Sequence, residues 1–466
     1  MMNLYNTLTR KIEEFTPLED KKVKIYTCGL TVYSQPHIGN WVAYIYWDIL
    51  TRALQASGYD VERVQNITDV GHLTSDEDAG EDKMLKGALK EGITAWEVAE
   101  KYIKVADHEA FELLGLLRPE HMPRATEYIQ QQIDFVKILE EKGYTYVIDD
   151  GVYFDTSKLE NYGELARLDI IGLQFGARVE DTGKKNPTDF AAWKFSNPDE
   201  KRDMEWSSPW GIGFPGWHLE CSVMAREILG DQIDIHTGGI DHIPVHHTNE
   251  IAQTEAITAK NFSNFWVHAN HIKVDGTKMS KSLGNIYALQ DILDKGYDIE
   301  AFKLLVLSKH YRTEGNFTWE ILDDAQNVFN KFNAWSYLQF QNLKSERLVQ
   351  NFSGNDGAIA SLKKSMLNDL DTPGALAFIH GIVSRTEELG ADSQSIAEAT
   401  REIEQLLGIK LAKEGDITPE QKQLIKDREL AREAKNWAKS DELRDKLLEQ
   451  AIEVKDTPNG TIWSKI

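Results

Sequence analysis

The chain has 466 residues, a formal net charge of −23 and two cysteines. That length exceeds what one hydrophobic core serves, so two to four domains are expected, and the acidic balance argues against a broad non-specific grip on nucleic acid, which needs clustered Lys and Arg. No apolar run is long enough to cross a bilayer, the opening MMNLYNTLTRKIEEFTPLED lacks the apolar core of a signal peptide, and two cysteines make no disulfide framework, so a cytoplasmic protein without membrane attachment is expected.

In chain order, KKVKIYTCG (21–29) reads as a buried strand and a loop. LTVYSQPHIGN follows, then WVAYIYWDILTRALQASG, whose apolar spacing is helical with Gly58 as its stop. YDVERVQNITDV is a second strand, completing a βαβ unit with a parallel pair. The acidic GHLTSDEDAGEDKMLKGALKEG reads as a surface loop entering a helix, and 93–143 as largely helical. TYVIDDGVYFDTS (145–157) reads as a hairpin around Asp-Gly, within a turn-rich region at 125–205 that interrupts a larger fold. Residues 207–253 return to α/β character. Beyond about 320 the pattern is helical and charged, with DRELAREAKNWAKSDELRDKLLEQ a helix or helix pair and AIEVKDTPNGTIWSKI a closing hairpin at Asn-Gly.

Three stretches carry chemistry. PHIGN (36–40) puts a His and a Gly between a strand and a helix N-terminus, where backbone N–H groups and the helix dipole suit phosphate; an ordinary βα turn has the same pattern. KVDGTKMSKSLGN (273–285) brackets a Ser with Lys278 and Lys281, a loop able to close over a triphosphate and neutralise a leaving pyrophosphate, as against a solvated basic turn. HTGGIDHIPVHHTNEIAQ (236–253) gathers His236, His242, His246 and His247, with Glu250 four residues after His246. On a helix His246 and Glu250 share a face, while His247 points about 100° away. Cys28 and Cys221 read either as two isolated buried thiols or as ligands.

PHIGN and KMSKS, in this order, together resemble the signature pair of class I aminoacyl-tRNA synthetases. CGLTVYSQPHIGN, NITDV, DFAAWKFS, SPWGIGFPGWHLECSVMA, HTGGIDHIPVHHTNEIAQ, KMSKSLGN, AKNWAKSDELRDKL and DTPNGTIWSKI resemble segments of the cysteinyl-tRNA synthetase family, from residue 22 to 466. The resemblance implies an α/β fold: a Rossmann-like parallel-sheet catalytic domain in two halves (1–124 and 206–268) around a connective insertion (125–205). A KMSKS loop and stem-contact region (269–322), a tRNA-binding helical bundle (323–410) and an anticodon-binding segment (411–466) would follow. It implies activation of L-cysteine with ATP, Mg2+ accompanying, to cysteinyl-adenylate and pyrophosphate. Transfer to the 3′-terminal adenosine of tRNA(Cys) follows.

The same resemblance implies one zinc ion on Cys28, Cys221, His246 and Glu250, a set whose chemistry suits zinc. It implies ATP contacts from His37, Gly39, Asn40, Gly238, Gly239, Asp241, Lys278 and Lys281, with His37, Asn40 and the two lysines catalytic. Thr68, Trp217 and His236 would meet the substrate cysteine, although Trp217 also reads as core. Zinc prefers a soft thiolate to a hydroxyl, so the substrate thiolate is expected on the metal, making it a selector rather than a hydrolytic catalyst. Departures from the family pattern are Asn40 for a second His, Trp41 for a small residue, His242 for an apolar residue, and the acidic stretch at 71–82; no role is assigned to the last two. Arg401, Lys410, Lys413, Lys422 and Lys426 could form a basic strip or a solvated face. A monomer is expected. The rival reading, a cysteine ligase acting on an amino-sugar, would lack the C-terminal match.

Overall fold

The computed structural model describes residues 2–71, 83–168, 183–197, 199, 202–280, 283–341, 357–389, 392–457 and 460–466. Four strands form its central sheet, in the order Ser263–Ala269, Ile233–Gly239, Lys22–Thr27, Asp60–Gln65. All three pairings are parallel, with Ile25 opposite both Arg63 and Ile235, and His236 opposite Trp266. Parallel strands are covered on both faces, and their side chains alternate between those faces. Val23, Ile25, Ile235, Phe265 and Val267 pack with the helix Ile38–Ala56 in one core. Tyr26, Val64 and Trp266 pack on the other side, with residues of the helices Trp217–Leu229 and His246–Thr258. The chain leaves Lys22–Thr27 toward Asp60–Gln65 and later returns to its opposite side. This opens a crevice at the C-terminal strand ends, where such sheets bind ligands.

The insertion is a five-stranded antiparallel sheet, ordered Thr145–Ile148, Gly151–Phe154, Phe190–Phe195, Gly211–Pro215, Trp206–Ser208. Ile148 pairs with Gly151, so the turn is Asp149-Asp150 and Gly151 opens the second strand instead of lying in the turn. Gly211–Pro215 pairs with Phe190–Phe195, which carries this sheet ten residues past 205. The Gly216 N–H donates to Ala192 O at 3.0 Å and hands the chain directly to the helix that bears Cys221.

Beyond residue 318 the helices Trp319–Ser336, Ala358–Met366, Thr372–Leu389 and Ser393–Leu407 are joined to the first core through Phe332, Trp335, Ile379, Ile396 and Leu407. Thr318 and Asp392 cap two of them by accepting from the Ile321 and Ser395 N–H groups. A last unit has its own core of Ile417, Ile425, Leu447, Ile452, Val454 and Trp463. It pairs the helices Pro419–Glu433 and Trp437–Leu448 with the hairpin Ile452–Thr457 and Gly460–Lys465. The charged segment is thus a helix pair, and Gly460 opens the second strand; 458–459 lie outside the described residues. Among the described residues no helix is long and apolar enough to cross a membrane.

Candidate active site and metal centre

A cleft of about 430 Å³ opens at the crevice. It is reached from four strand ends: Cys28 just after Lys22–Thr27, Thr68 just after Asp60–Gln65, Gly238 and Gly239 closing Ile233–Gly239, and His271 just after Ser263–Ala269. Gly29 lets two strand ends meet there. Its N–H donates to Asn66 Oδ1 at 2.8 Å, and a Cβ at Gly29 would stand 1.4 Å from the Asn66 carbonyl oxygen. Only glycine fits.

Among the described residues, Cys28, Cys221, His246 and Glu250 bring one ligand atom each to within 4.8 Å of one another, all four buried. Cys28 is held by the neighbouring strand Ile233–Gly239, its N–H donating to Thr237 O at 3.2 Å. Cys221 lies one turn after Trp217, and His246 one turn before Glu250, so each helix turns two site residues inward. Glu250 Oε1 lies 2.9 Å from His246 Nε2, and Glu250 Oε2 lies 2.7 Å from His236 Nε2. His246 Nδ1 lies 2.9 Å from His218 Nδ1, which fixes the ring and leaves Nε2 for the centre.

A second set, Cys28, His236, His247 and Glu250, meets the same distance. Cys28, Cys221 and His246 line the cleft, whereas His236 and His247 do not, so the first set faces whatever enters. His247 turns away from His246, as helical geometry requires, putting Nε2 3.3 Å from Cys28 Sγ and Nδ1 2.8 Å from His268 Nε2. The charge balance suits a cation. Burial pushes the Cys28 thiol well up, while Cys221, through its bond with Cys28, falls to about 7. Burial disfavours charge on His246, yet Glu250 and Cys221 raise it to about 10. Burial likewise opposes ionisation of Glu250, but His236 and His246 hold it well below the carboxylate range. Two thiols, an imidazole and a carboxylate are a donor set that zinc accepts.

Thr68 and Trp217 line the cleft; the indole is half-buried, with its ring centroid 4.3 Å from that of His246, so it is a wall of the cleft and not core. His236 is fully buried beside Glu250, stacked on Trp266, and does not line the cleft where the substrate was expected to meet it. His242 also lines the cleft, in the turn Ile240–His242 beside Asp241; burial lowers it to about 4, so it is neutral.

His37 caps the helix Ile38–Ala56: its backbone N–H donates to Asn40 Oδ1 at 2.9 Å, and burial lowers its own imidazole pKa. The missing second His is therefore an Asn whose carbonyl oxygen is engaged and whose amide N–H groups remain for a ligand. Gly39 faces the other signature motif, since a Cβ there would stand 2.2 Å from Met279 Cε. Lys278 is exposed at the cleft rim, and Asn285 braces its loop, accepting from the Ser280 N–H at 2.9 Å. Lys281 lies outside the described residues, as does 72–82 of the acidic stretch. Of the basic strip, Lys413 pairs with Asp298 at 3.0 Å and Lys422 with Asp416 at 2.5 Å. Sequence reasoning missed His218, His268, Asn66 and Met279, which act on the site residues from one layer out. The adjacency of His218 to Trp217 and of Met279 to Lys278, and the position of Asn66 two residues before Thr68, could have flagged three of them.

Solved structures share the architecture. Mycobacterium tuberculosis methionyl-tRNA synthetase bound by methionyl-adenylate aligns with a TM-score of 0.58 at 12% identity, over 83% of this chain and 92% of that one. The leucyl-tRNA synthetase in a ternary complex from Agrobacterium radiobacter aligns at 0.59 and 12%, over 85% of each. At such identities the likeness shows the fold, and it is that of class I aminoacyl-tRNA synthetases. The model for the class I (C) tRNA synthetase catalytic domain matches residues 14–327, and that for the cysteinyl-tRNA ligase anticodon binding domain matches 414–463. Cysteine–tRNA ligase 1 of Burkholderia lata is 43% identical over 98% of this chain and 95% of its own length. The cysteine–tRNA ligase of Treponema denticola is 39% identical over the whole of both. The chain belongs to the cysteine–tRNA ligase family and carries its activity, the ATP-dependent attachment of cysteine to tRNA. The C-terminal match separates it from the amino-sugar ligase reading.

Proposed function

We propose that Cys28, Cys221, His246 and Glu250 hold one zinc ion at the floor of the cleft and that cysteine is selected there. The observation that carries this reading is the convergence of those four donors beneath a substrate-sized cleft. Bound there, zinc supplies a soft Lewis acid that favours a thiolate over a hydroxyl, a distinction that an apolar pocket makes by only about 1–3 kcal/mol. Trp217 and Thr68 close the space beside it, and His236 holds the Glu250 carboxylate in place.

ATP, with Mg2+, lies across the rest of the cleft. Gly238 and Gly239 receive the adenosine, and the exposed Asp241 carboxylate accepts from a ribose hydroxyl. His37, the Gly39 backbone and the Asn40 amide meet the phosphates at a helix N-terminus. Lys278, together with Lys281, neutralises charge as the cysteine carboxylate oxygen bonds to the α-phosphorus and pyrophosphate departs with the electron pair of the broken P–O bond. A ribose hydroxyl of the 3′-terminal adenosine of tRNA(Cys) then attacks the cysteinyl carbonyl carbon, and AMP leaves. The bundle (323–410) and C-terminal segment (411–466) hold the tRNA. A monomer in the cytoplasm fits two cysteines that must both stay unoxidised.

The test incubates the chain with ATP, labelled cysteine and total tRNA, and counts zinc by elemental analysis. Label on tRNA with a cysteine anticodon and one zinc per chain are expected. A metal-free preparation of full activity would sink the zinc centre, and charging of tRNA with other anticodons would sink the assigned acceptor.

A further inference from the structure

Glu109 is a carboxylate where a structural reading has little use for one. It is 4% exposed, in a wide helical turn at His108–Leu113 in which the Leu114 N–H donates five residues back to Glu109 O at 2.9 Å. Burial raises its pKa, and its hydrogen-bond donors are neutral: the Trp41 indole N–H at 2.7 Å on Oε2, and the Gln35 amide at a long 3.5 Å on Oε1. No Lys or Arg pairs with it among the described residues. A buried carboxylate without a cation is costly. Both donors flank the same five residues: Gln35 precedes PHIGN, and Trp41, 1% exposed, follows it in the first turn of the helix Ile38–Ala56. Glu109 itself does not line the cleft.

We infer that Glu109 is a positioning residue for ATP: through the Trp41 indole it anchors the start of the phosphate-binding helix, so that His37, the Gly39 N–H and Asn40 meet the phosphates in register. This rests on the reading that PHIGN receives the ATP phosphates. Asn40 braces the turn from inside by accepting from the His37 N–H, and Glu109 braces it from behind. A phosphate site made of backbone donors tolerates little drift, because each donor must point at a fixed oxygen. Trp41→Phe keeps an aromatic ring but removes the N–H together with the five-membered ring of the indole; Glu109→Leu removes the acceptor; Glu109→Gln keeps one acceptor oxygen for Trp41 and leaves the core volume unchanged.

Cysteine-dependent ATP–pyrophosphate exchange, with zinc-loaded full-length enzyme, measures the two KM values separately. Trp41→Phe and Glu109→Leu are each expected to raise the KM for ATP by about ten- to 150-fold, the range of a buried hydrogen bond to a charged group. The KM for cysteine should stay within about twofold. Glu109→Gln should recover to within about threefold of the parent, and Trp41→Phe combined with Glu109→Leu should be no worse than the poorer single variant, as two halves of one interaction. His37→Ala separates the two readings. If it raises the KM for ATP while Trp41→Phe and Glu109→Leu do not, the inference about Glu109 fails and the PHIGN reading stands; if His37→Ala has no effect, the PHIGN reading itself fails. A parallel rise in both KM values, tracking a lowered melting temperature, would make the contact merely structural and overturn the inference. Should Glu109→Leu not fold, Trp41→Phe and Glu109→Gln still decide it.

Discussion

Cys221→Ser removes one donor from the centre and changes little else. Cys221 is 2% exposed on the inner face of its helix, so the slightly smaller serine side chain fits without a clash. The bond with Cys28 lowers the Cys221 thiol to about 7, toward the thiolate that a metal binds, whereas a serine hydroxyl is not ionised at all. Partners that only orient metal ligands are worth about 10- to 100-fold in affinity, so loss of a ligand itself should exceed about 100-fold. At about 1.4 kcal/mol per decade that is more than about 2.8 kcal/mol. Zinc affinity is read by competition with a chromophoric chelator, and selectivity by pyrophosphate exchange with cysteine against serine. Weaker zinc and a collapse of the preference for cysteine are expected together. Parent affinity with unchanged discrimination would refute the assignment of Cys221, and Cys28, His236, His247 and Glu250 would become the ligands to test.

Lys278→Ala, at the rim of the cleft, should lower the kcat of pyrophosphate exchange by about 100-fold while the KM for cysteine holds, as expected of a group that acts on developing phosphate charge; stopped-flow exchange kinetics check it. Gly29→Ala drives a Cβ to 1.4 Å from a backbone oxygen that cannot swing aside, so a loss of about 3 kcal/mol or more, or failure to fold, is expected in denaturant melts. Asp456→Asn removes the negative charge and one of the two oxygens that accept from Arg428 Nη1 and Nη2, both at 2.8 Å, and should destabilise the C-terminal unit by about 1–3 kcal/mol. Arg428 holds Asp456 below its ordinary value of 3.8, so this stabilisation is complete above that pH and is lost as pH falls through the lower folded value. Thermal melts between pH 5 and pH 2.5 should therefore converge for parent and variant; a constant gap would place the effect elsewhere.

The helix Ile38–Ala56 and the strand that ends before Cys28 were legible because their apolar periods and stop signals lie within a few residues of one another. Two elements shifted by a residue or two, at Asp149-Asp150 and Gly460, since a hairpin's register follows cross-strand pairing and not its turn residues alone. The ligand types and the shared face of His246 and Glu250 also follow from sequence, because helical spacing is local geometry. Spacing carries no information on how far Cys28 stands from Cys221, 193 positions later in the sequence, or on which of several histidines turns toward the cleft. Tertiary packing decided those points: it put His236 beside Glu250, turned His247 toward His268, and opened Trp217 to the cleft. It also joined Trp41 to Glu109, 68 positions apart. Local periodicity says which face of an element is apolar; which partner meets that face depends on how the layers stack, and only the folded chain contains that.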